Sequence, residues 1–471
     1  MSDLTSLLYG WLHFGVMIIL MIVAVARKRD PSSALGWCLV IAFIPIVGPL
    51  AFLIFGLTRI PRRLSRTIAH REKLSSPLGP LEAPHEISAR LSPGEIATTL
   101  GGAPKRSGNS VEIFNRGIDT YAEILRVLES AEHHIHIQFF IFRRDKVGRR
   151  LLKVLEEKAK SGVEVRLLID GIGMLTGWRI IREVRRAGGK ATAFLPLLIQ
   201  GRYISPNLRN HRKLIICDGR SAFIGGFNVG EEYLGKEGNR RPWFDLHFKI
   251  EGPSVIDLQE TFVLDWSFCT DEELKGASYF PANITPSGDV ALRVVAGGPD
   301  TNPNPIREAV FAAISRSNKQ VTIATPYLVP DLGLLDALRL AARGGVAVDI
   351  VIQSEPTDHP VVYWCSLYYA EQLTQAGARI HEYKPGMMHA KAVIVDDDFA
   401  MIGTANLDRR SLSLNFELVA LIDEPASTLP FRRQVETLVQ ESSLLTMDRF
   451  IKRSIISKAA ISLARLLAPI L

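Results

Sequence analysis

The feature that most constrains this chain is a repeat. Asn210-His211-Arg212-Lys213-Leu214-Ile215-Ile216-Cys217-Asp218-Gly219 returns as Met388-His389-Ala390-Lys391-Ala392-Val393-Ile394-Val395-Asp396-Asp397. Each copy is a strand-like run ending in a turn, and each is reached through the same order of segments. In the first, Ile135 to Phe142 is strand-like, Gly148 to Lys160 has helical apolar spacing, and Val163 to Ile169 is a further strand. Val321 to Ala324, Leu332 to Ala342 and Val346 to Ile352 repeat that order, and Arg186-Ala187-Gly188 corresponds to Gln375-Ala376-Gly377. The series predicts a duplicated α/β fold, each half a mixed β-sheet flanked by helices, which 471 residues can accommodate.

Residues two apart in a strand share a face, so His211 and Lys213 are expected to project together, as are His389 and Lys391. Asp218 and Asp396 lie at odd parity, each before a turn. They belong to the motif, but bracing the hairpin or pairing with a cation suits them better than touching substrate. A small-residue strand end follows in each half, Ile224-Gly225-Gly226-Phe227-Asn228 and Ile402-Gly403-Thr404-Ala405-Asn406, with a His-to-Asn separation of 17 both times. Asn228 and Asn406 are candidate donors to phosphate oxygens. Asp245, within Trp243-Phe244-Asp245, and Glu417, within Asn415-Phe416-Glu417, could each orient an imidazole and fix its tautomer.

Two histidines, two lysines and two asparagines imply a symmetric pocket for a tetrahedral phosphate. One neutral imidazole can attack phosphorus while the other, protonated, delivers a proton to the leaving alkoxide, and the roles then reverse for an acceptor alcohol. The design requires neither metal nor other cofactor. Cys38, Cys217, Cys269 and Cys365 lie far apart without CxxC spacing, which suggests neither a disulfide framework nor a zinc site.

Leu7 to Ala26 is apolar apart from His13, and after Arg27-Lys28-Arg29 the stretch Ala34 to Leu57 is again uncharged, interrupted by Pro45, Gly48 and Pro49. The two runs predict an N-terminal transmembrane helical hairpin. A cleaved signal peptide is the alternative, but Asp3 and the lack of Lys or Arg ahead of the apolar run fit it poorly. Arg59, Arg62, Arg63, Arg66, Arg71 and Lys73 after the second run lean toward a cytoplasmic catalytic region. The net charge of +7 favours acidic partners without choosing among them. The expected divisions are 1–58 for the two helices, 59–108 for a basic juxtamembrane segment and linker, 109–285 and 286–449 for the two α/β domains, and 450–471 for a C-terminal amphipathic helix.

The repeated motifs, with Leu167-Leu168-Ile169-Asp170-Gly171, Thr325-Pro326-Tyr327, Ser354-Glu355-Pro356-Thr357-Asp358-His359 and Asn406-Leu407-Asp408-Arg409-Arg410-Ser411, resemble the phospholipase D superfamily and, within it, bacterial cardiolipin synthases. That resemblance runs over nearly the whole length. It implies phosphatidyl transfer between two phosphatidylglycerol molecules at the bacterial inner membrane, with His211 as nucleophile and His389 in the acid-base role. It also implies that the acids work across the halves, Glu417 on His211 and Asp245 on His389. Gln138 stands where similar sequences more often carry Glu, and is read as a difference in the substrate wall. The partners implied are phosphatidylglycerol and an anionic phospholipid membrane, with no nucleic acid; the oligomeric state is left open. A hydrolytic phospholipase D needs the same residues, a nuclease gains little from membrane helices, and complete motifs argue against a non-catalytic lipid-binding scaffold.

Overall fold

The computed structural model describes residues 2–28, 31–56, 90–196, 207–235, 243–281, 284–355, 357–466 and 468. They fall into an N-terminal unit and a larger α/β unit. Of the basic residues expected to follow the second apolar run, Arg59, Arg62, Arg63, Arg66, Arg71 and Lys73 lie outside the described residues.

In the N-terminal unit, α1 (Ser2–Arg27) and α2 (Pro31–Phe43) are joined through a small core of Leu20, Ala24, Ile41 and Phe52. The second apolar run is not one helix. It breaks at Ile44-Pro45-Ile46, where proline removes a backbone donor and disfavours helix in the residue before it, and Ile46 takes a left-handed φ of 68°. A short Val47–Ala51 helix and a wide turn at Phe52–Gly56 follow. Among the described residues no helix is long and apolar enough to cross a membrane, so the expected pair of spans is not found as such.

The α/β unit starts earlier than expected, and the linker reading up to residue 108 is corrected. Ser92 and Glu95 close a capping box on the Pro93–Thr99 helix. The strands are β1 (Arg106–Phe114), β2 (His134–Phe139), β3 (Glu164–Asp170), β4 (Lys190–Phe194), β5 (Arg209–Asn210), β6 (Leu214–Cys217), β7 (Ser221–Gly225), β8 (Trp243–Phe244) and β9 (His247–Glu251) in the first half. The second half has β10 (Val290–Gly297), β11 (Gln320–Ala324), β12 (Ala347–Gln353), β13 (Arg379–Tyr383), β14 (Met387–Met388), β15 (Ala392–Val395), β16 (Phe399–Gly403), β17 (Asn415–Ile422) and β18 (Ser442–Leu444).

Among the described residues one sheet runs β4-β3-β2-β6-β7-β9-β1-β10-β17-β16-β15-β11-β12-β13-β18, with β5 attached to β17. Read outward from the antiparallel β1·β10 pair, the order in one half repeats in the other, which makes a pseudo-twofold. In each half two strands beside the motif strand run parallel, β2·β3 and β11·β12, and the motif strand is antiparallel to its neighbours. Local signals repeat too: Asp145 caps the Lys146–Lys160 helix and Asp331 caps Leu332–Arg343.

Side-chain alternation divides the sheet into layers. Leu214 and Ile216 point into a core shared by both halves, covered by the Val255–Thr270 and Pro425–Gln440 helices. Ile215 and Cys217 point to the outer core of the first half, and Val393 and Val395 to that of the second. The C-terminal segment is two helices, Met447–Ile451 and Ile455–Arg465, the second capped by Ser454.

Candidate active site

Both motifs open just ahead of the strands that carry the rest of them. β6 starts at Leu214 and β15 at Ala392, so each histidine and lysine lies in the extended link behind a two-residue strand. Their expected place within one strand is corrected to that link. The link is where the halves cross. β5 pairs in parallel with the start of β17, Arg209 beside Asn415 and Asn210 beside Phe416, and His211 N donates to Phe416 O at 2.9 Å. Likewise β14 pairs with β8, Met387 beside Trp243 and Met388 beside Phe244, and His389 N donates to Phe244 O at 2.7 Å. The next residue in each partner strand is an acid, so main-chain pairing alone brings Glu417 to His211 and Asp245 to His389.

His211 Nδ1 lies 3.0 Å from Glu417 Oε2, and His389 Nδ1 lies 2.6 Å from Asp245 Oδ2. An ionised carboxylate can only accept, so each neutral ring is steered to carry its proton at Nδ1 and offer a lone pair at Nε2. Lys213 Nζ donates to His211 O at 2.9 Å, and Lys391 Nζ donates to His389 O. Both lysines are fully buried, and Lys391 Nζ stands 3.9 Å from Asp245.

Burial sets the protonation of this cluster. It pushes Lys213 down to about 7, with Glu417 opposing and Lys391 adding to the fall. It brings Lys391 down to about 8 against the pull of Asp245 and Glu417. His211 is lowered by burial, partly offset by Glu417, and His389 falls well below its ordinary value through burial and the charge on Lys391. Four basic groups that depress one another's charge gain most from an anion placed among them, because its negative charge favours every protonated form.

The two acids are unequal. Burial pushes Glu417 up, but His211, Lys213 and the Thr404 hydroxyl, which donates to Oε2 at 2.5 Å, hold it below its ordinary range. Asp245 is carried up to about 6 by burial, against Lys391 and the Leu246 N–H. Gly226 holds the position equivalent to Thr404, and even a Cβ there would collide with the Asp245 carboxylate. Among the described residues, Glu417 is the one of the two acids shown accepting from a hydroxyl.

Asp218 and Asp396, grouped by sequence with the catalytic residues, sit at the far ends of β6 and β15. Asp218 accepts from the N–H groups of Glu132, His133 and His134, and Asp396 from those of Asn318, Lys319 and Gln320. Each has a left-handed φ, 55° and 50°, and each ties a turn to the start of the neighbouring strand. Asn228, expected to donate to phosphate, donates one amide N–H to Tyr233 Oη at 3.1 Å and accepts from Ile141 N at 3.2 Å. Asn406 is buried, and its Oδ1 has no hydrogen-bond partner among the described residues.

The sequence matches the family described as "Cardiolipin synthase, PLD-like domain" twice, over residues 124–254 and 310–439, so that each match contains one histidine motif. Residues 16–56 match "Phospholipase_D-nuclease N-terminal". "Cardiolipin synthase 1" of Bacillus cereus is 36% identical, with 94% of this chain and 90% of the relative covered. The chain belongs to the cardiolipin synthase family. "Major cardiolipin synthase ClsA" of Bacillus subtilis is 34% identical over 100% of both chains. Among solved structures, a phosphatidylserine synthase of Haemophilus influenzae superposes with a TM-score of 0.60 over 80% of this chain and 100% of its own, at 15% identity. That likeness speaks for the fold.

In this member of the cardiolipin synthase family Gln138 has a different role from the one its sequence suggests, and its partners Asp265, Asn210 and Arg212 were not singled out by sequence. Gln138 is 1% exposed and does not form a substrate wall; its amide donates to Asp265 at 2.6 Å. Asp265 also accepts from Asn210 at 3.0 Å and from Arg212 at 2.7 Å, and Arg212 donates onward to Glu417 O at 3.1 Å. The equivalent positions in the second half, by motif and by strand register, are Ala324, Met388 and Ala390. A buried polar network thus holds the main chain of Glu417, while apolar residues occupy the matching positions of the other half. Its sequence signals are Gln138 and the arginine between His211 and Lys213. Aromatic rings enclose the site unevenly: Phe140 stands 5.1 Å from the His211 ring, whereas Trp243, Tyr233 and Tyr327 stand 5.4, 6.4 and 6.5 Å from that of His389.

Proposed function

We propose that this protein is a cardiolipin synthase that moves the phosphatidyl group of one phosphatidylglycerol onto the headgroup hydroxyl of a second. His211 Nε2 attacks phosphorus, and the bond to the departing glycerol oxygen breaks as protonated His389 delivers its proton there. Phosphatidyl-His211 and glycerol result. His389 then takes the proton of the acceptor hydroxyl, whose oxygen attacks phosphorus and breaks the phosphorus–nitrogen bond, giving cardiolipin and restoring both histidines. His389 gains its proton for the first step when the anionic phosphodiester enters and raises its proton affinity. Lys213 and Lys391 stabilise the anionic transition state; losing one such preorganised donor costs about 100 to 1000-fold in rate. Asp218 and Asp396 act as braces in this scheme.

The observation that carries the division of roles is the inequality of the acids. A ring phosphorylated at Nε2 and protonated at Nδ1 is cationic, and Glu417, held ionised by the His211 ring itself, Lys213 and Thr404, is suited to neutralise it. Asp245, raised to about 6, suits a pair that trades a proton.

The N-terminal helices are assigned as the anchor in the bacterial inner membrane, with the α/β unit on the cytoplasmic side. Supporting this are the N-terminal family match and the exposure of large apolar side chains such as Trp11 (68%) and Phe43 (78%), a pattern soluble surfaces avoid. The test is to incubate purified protein in detergent with phosphatidylglycerol alone. Cardiolipin and glycerol, lost with His211→Ala, are expected. Phosphatidic acid as sole lipid product would make the enzyme a hydrolase, and an inert native protein would refute the enzyme reading.

A further inference from the structure

The pseudo-twofold relates more than the motifs. β3 and β12 each lead into a helix, Met174–Arg186 and Pro360–Gln375, and the second and fifth residues of both helices are exposed and apolar: Leu175 and Trp178 in one, Val361 and Trp364 in the other. Trp178 is 44% exposed and Trp364 38%. The remaining sequence of the two helices is unlike, and neither tryptophan is needed to fill a core.

Both helix starts border the active site. A Cβ on Gly173, just before the first helix, would strike Phe140 O, and Phe140 packs on His211. His359, which precedes the second helix, stands edge-on to Tyr327 at 5.8 Å, and the Tyr327 ring is in turn edge-on to His389 at 6.5 Å. One apolar pair therefore lies in the first turns of each helix whose start touches a residue packed beside a catalytic histidine. Cations accompany them. The exposed Arg179 and Arg182 guanidiniums lie 5.3 and 4.8 Å from the Trp178 ring. Beside the second helix, the Ile455–Arg465 helix buries Ile461 and Ala464, with Ala464 packed against Cys365, and turns Ile455 (86% exposed) and Leu463 outward near Lys458.

We infer that Leu175, Trp178, Val361 and Trp364 form a docking surface that seats the mouth of the active site on an anionic lipid bilayer. The inference rests on the phosphatidyl-transfer reading for its substrate but not for its surface. Tryptophan prefers the interface between headgroups and acyl chains, and arginine beside it meets lipid phosphate. A second copy of the chain would gain little by facing these arginines with its own, whereas an anionic membrane complements them. Docking at both helix starts lets two lipids rise into one site without leaving the bilayer entirely.

The test uses the full chain in vesicles containing phosphatidylglycerol and compares it with the Trp178→Ala, Trp364→Ala double variant. Turnover of vesicle lipid should fall about 10-fold or more, while turnover of dihexanoyl-phosphatidylglycerol below its micellar concentration stays within about twofold. Equal losses on both substrates, no loss on vesicles, or a changed oligomeric state in the variant would overturn the inference. A readout independent of turnover comes from brominated acyl chains in a Trp11→Phe, Trp37→Phe background. Quenching of fluorescence that disappears in the double variant supports docking even if the native chain is inert, an outcome that would defeat the transferase reading alone. Absence of that quenching contradicts the docking surface.

Discussion

Lys213 and Lys391 are the residues whose charge is most exposed to pH. Burial lowers them to about 7 and about 8, so protons that serve phosphate binding are lost as pH rises through those values. His211 must be neutral to attack, and its lowered pKa places loss of the nucleophile on the acid side. The profile of kcat/KM against pH should therefore be a bell whose alkaline limb lies no higher than about 8, far below the ordinary lysine range, because the lysines lose their charge there and His389, itself lowered, must take up a proton with the substrate. An alkaline limb above pH 10 would show that the lysines do not govern it. Thr404→Val removes the hydroxyl that favours ionised Glu417; a hydrogen bond to a charged group contributes about 1.5 to 3 kcal/mol, so kcat should fall about 10 to 100-fold with KM little changed. The histidines and lysines were legible because the same letters recur at the same spacing, and the acids because each directly follows a phenylalanine downstream of its motif. Thr404 and Arg212 stood in view within the motifs, but their partners come from elsewhere in the chain.

Turns and links decide what the motifs become. Asp218 satisfies three backbone donors and is held below its ordinary carboxylate range, since those hydrogen bonds outweigh the upward push of burial. A depressed carboxylate contributes stability that is complete above its unfolded pKa of about 3.9 and is lost as pH falls through its folded value. Asp218→Asn should lower the unfolding midpoint at pH 7 while flattening its dependence on pH below about 4, and leave the residual folded enzyme active. An unchanged acid slope would sink the bracing role. Asp265→Leu strands the buried Arg212 guanidinium, a loss of about 3 to 5 kcal/mol measurable by denaturant unfolding. The alternating strands and helices were readable from their periods. The pairings β5·β17 and β8·β14 were not, because a two-residue strand has no period to read, and these short pairs assemble the site.

At the scale of the whole molecule, each histidine depends on the other half of the chain. His211→Ala and Glu417→Gln, 206 residues apart, should be strongly non-additive in kcat, as should His389→Ala and Asp245→Asn, whereas mixed pairs such as Glu417→Gln with Asp245→Asn should compound. The duplication and the apolar N-terminus were plain in the sequence. The broken second helix was less so, because proline and glycine within an apolar run are compatible with a membrane helix as well as with a turn. The central claim is that a phosphatidyl group rests on His211 between donor and acceptor. Rapid alkaline quenching of the native enzyme during turnover of phosphatidylglycerol, followed by peptide mass spectrometry, tests it directly. A phosphatidyl adduct on the peptide carrying His211, absent from His211→Ala, is the predicted result; an adduct on His389 would contradict the account.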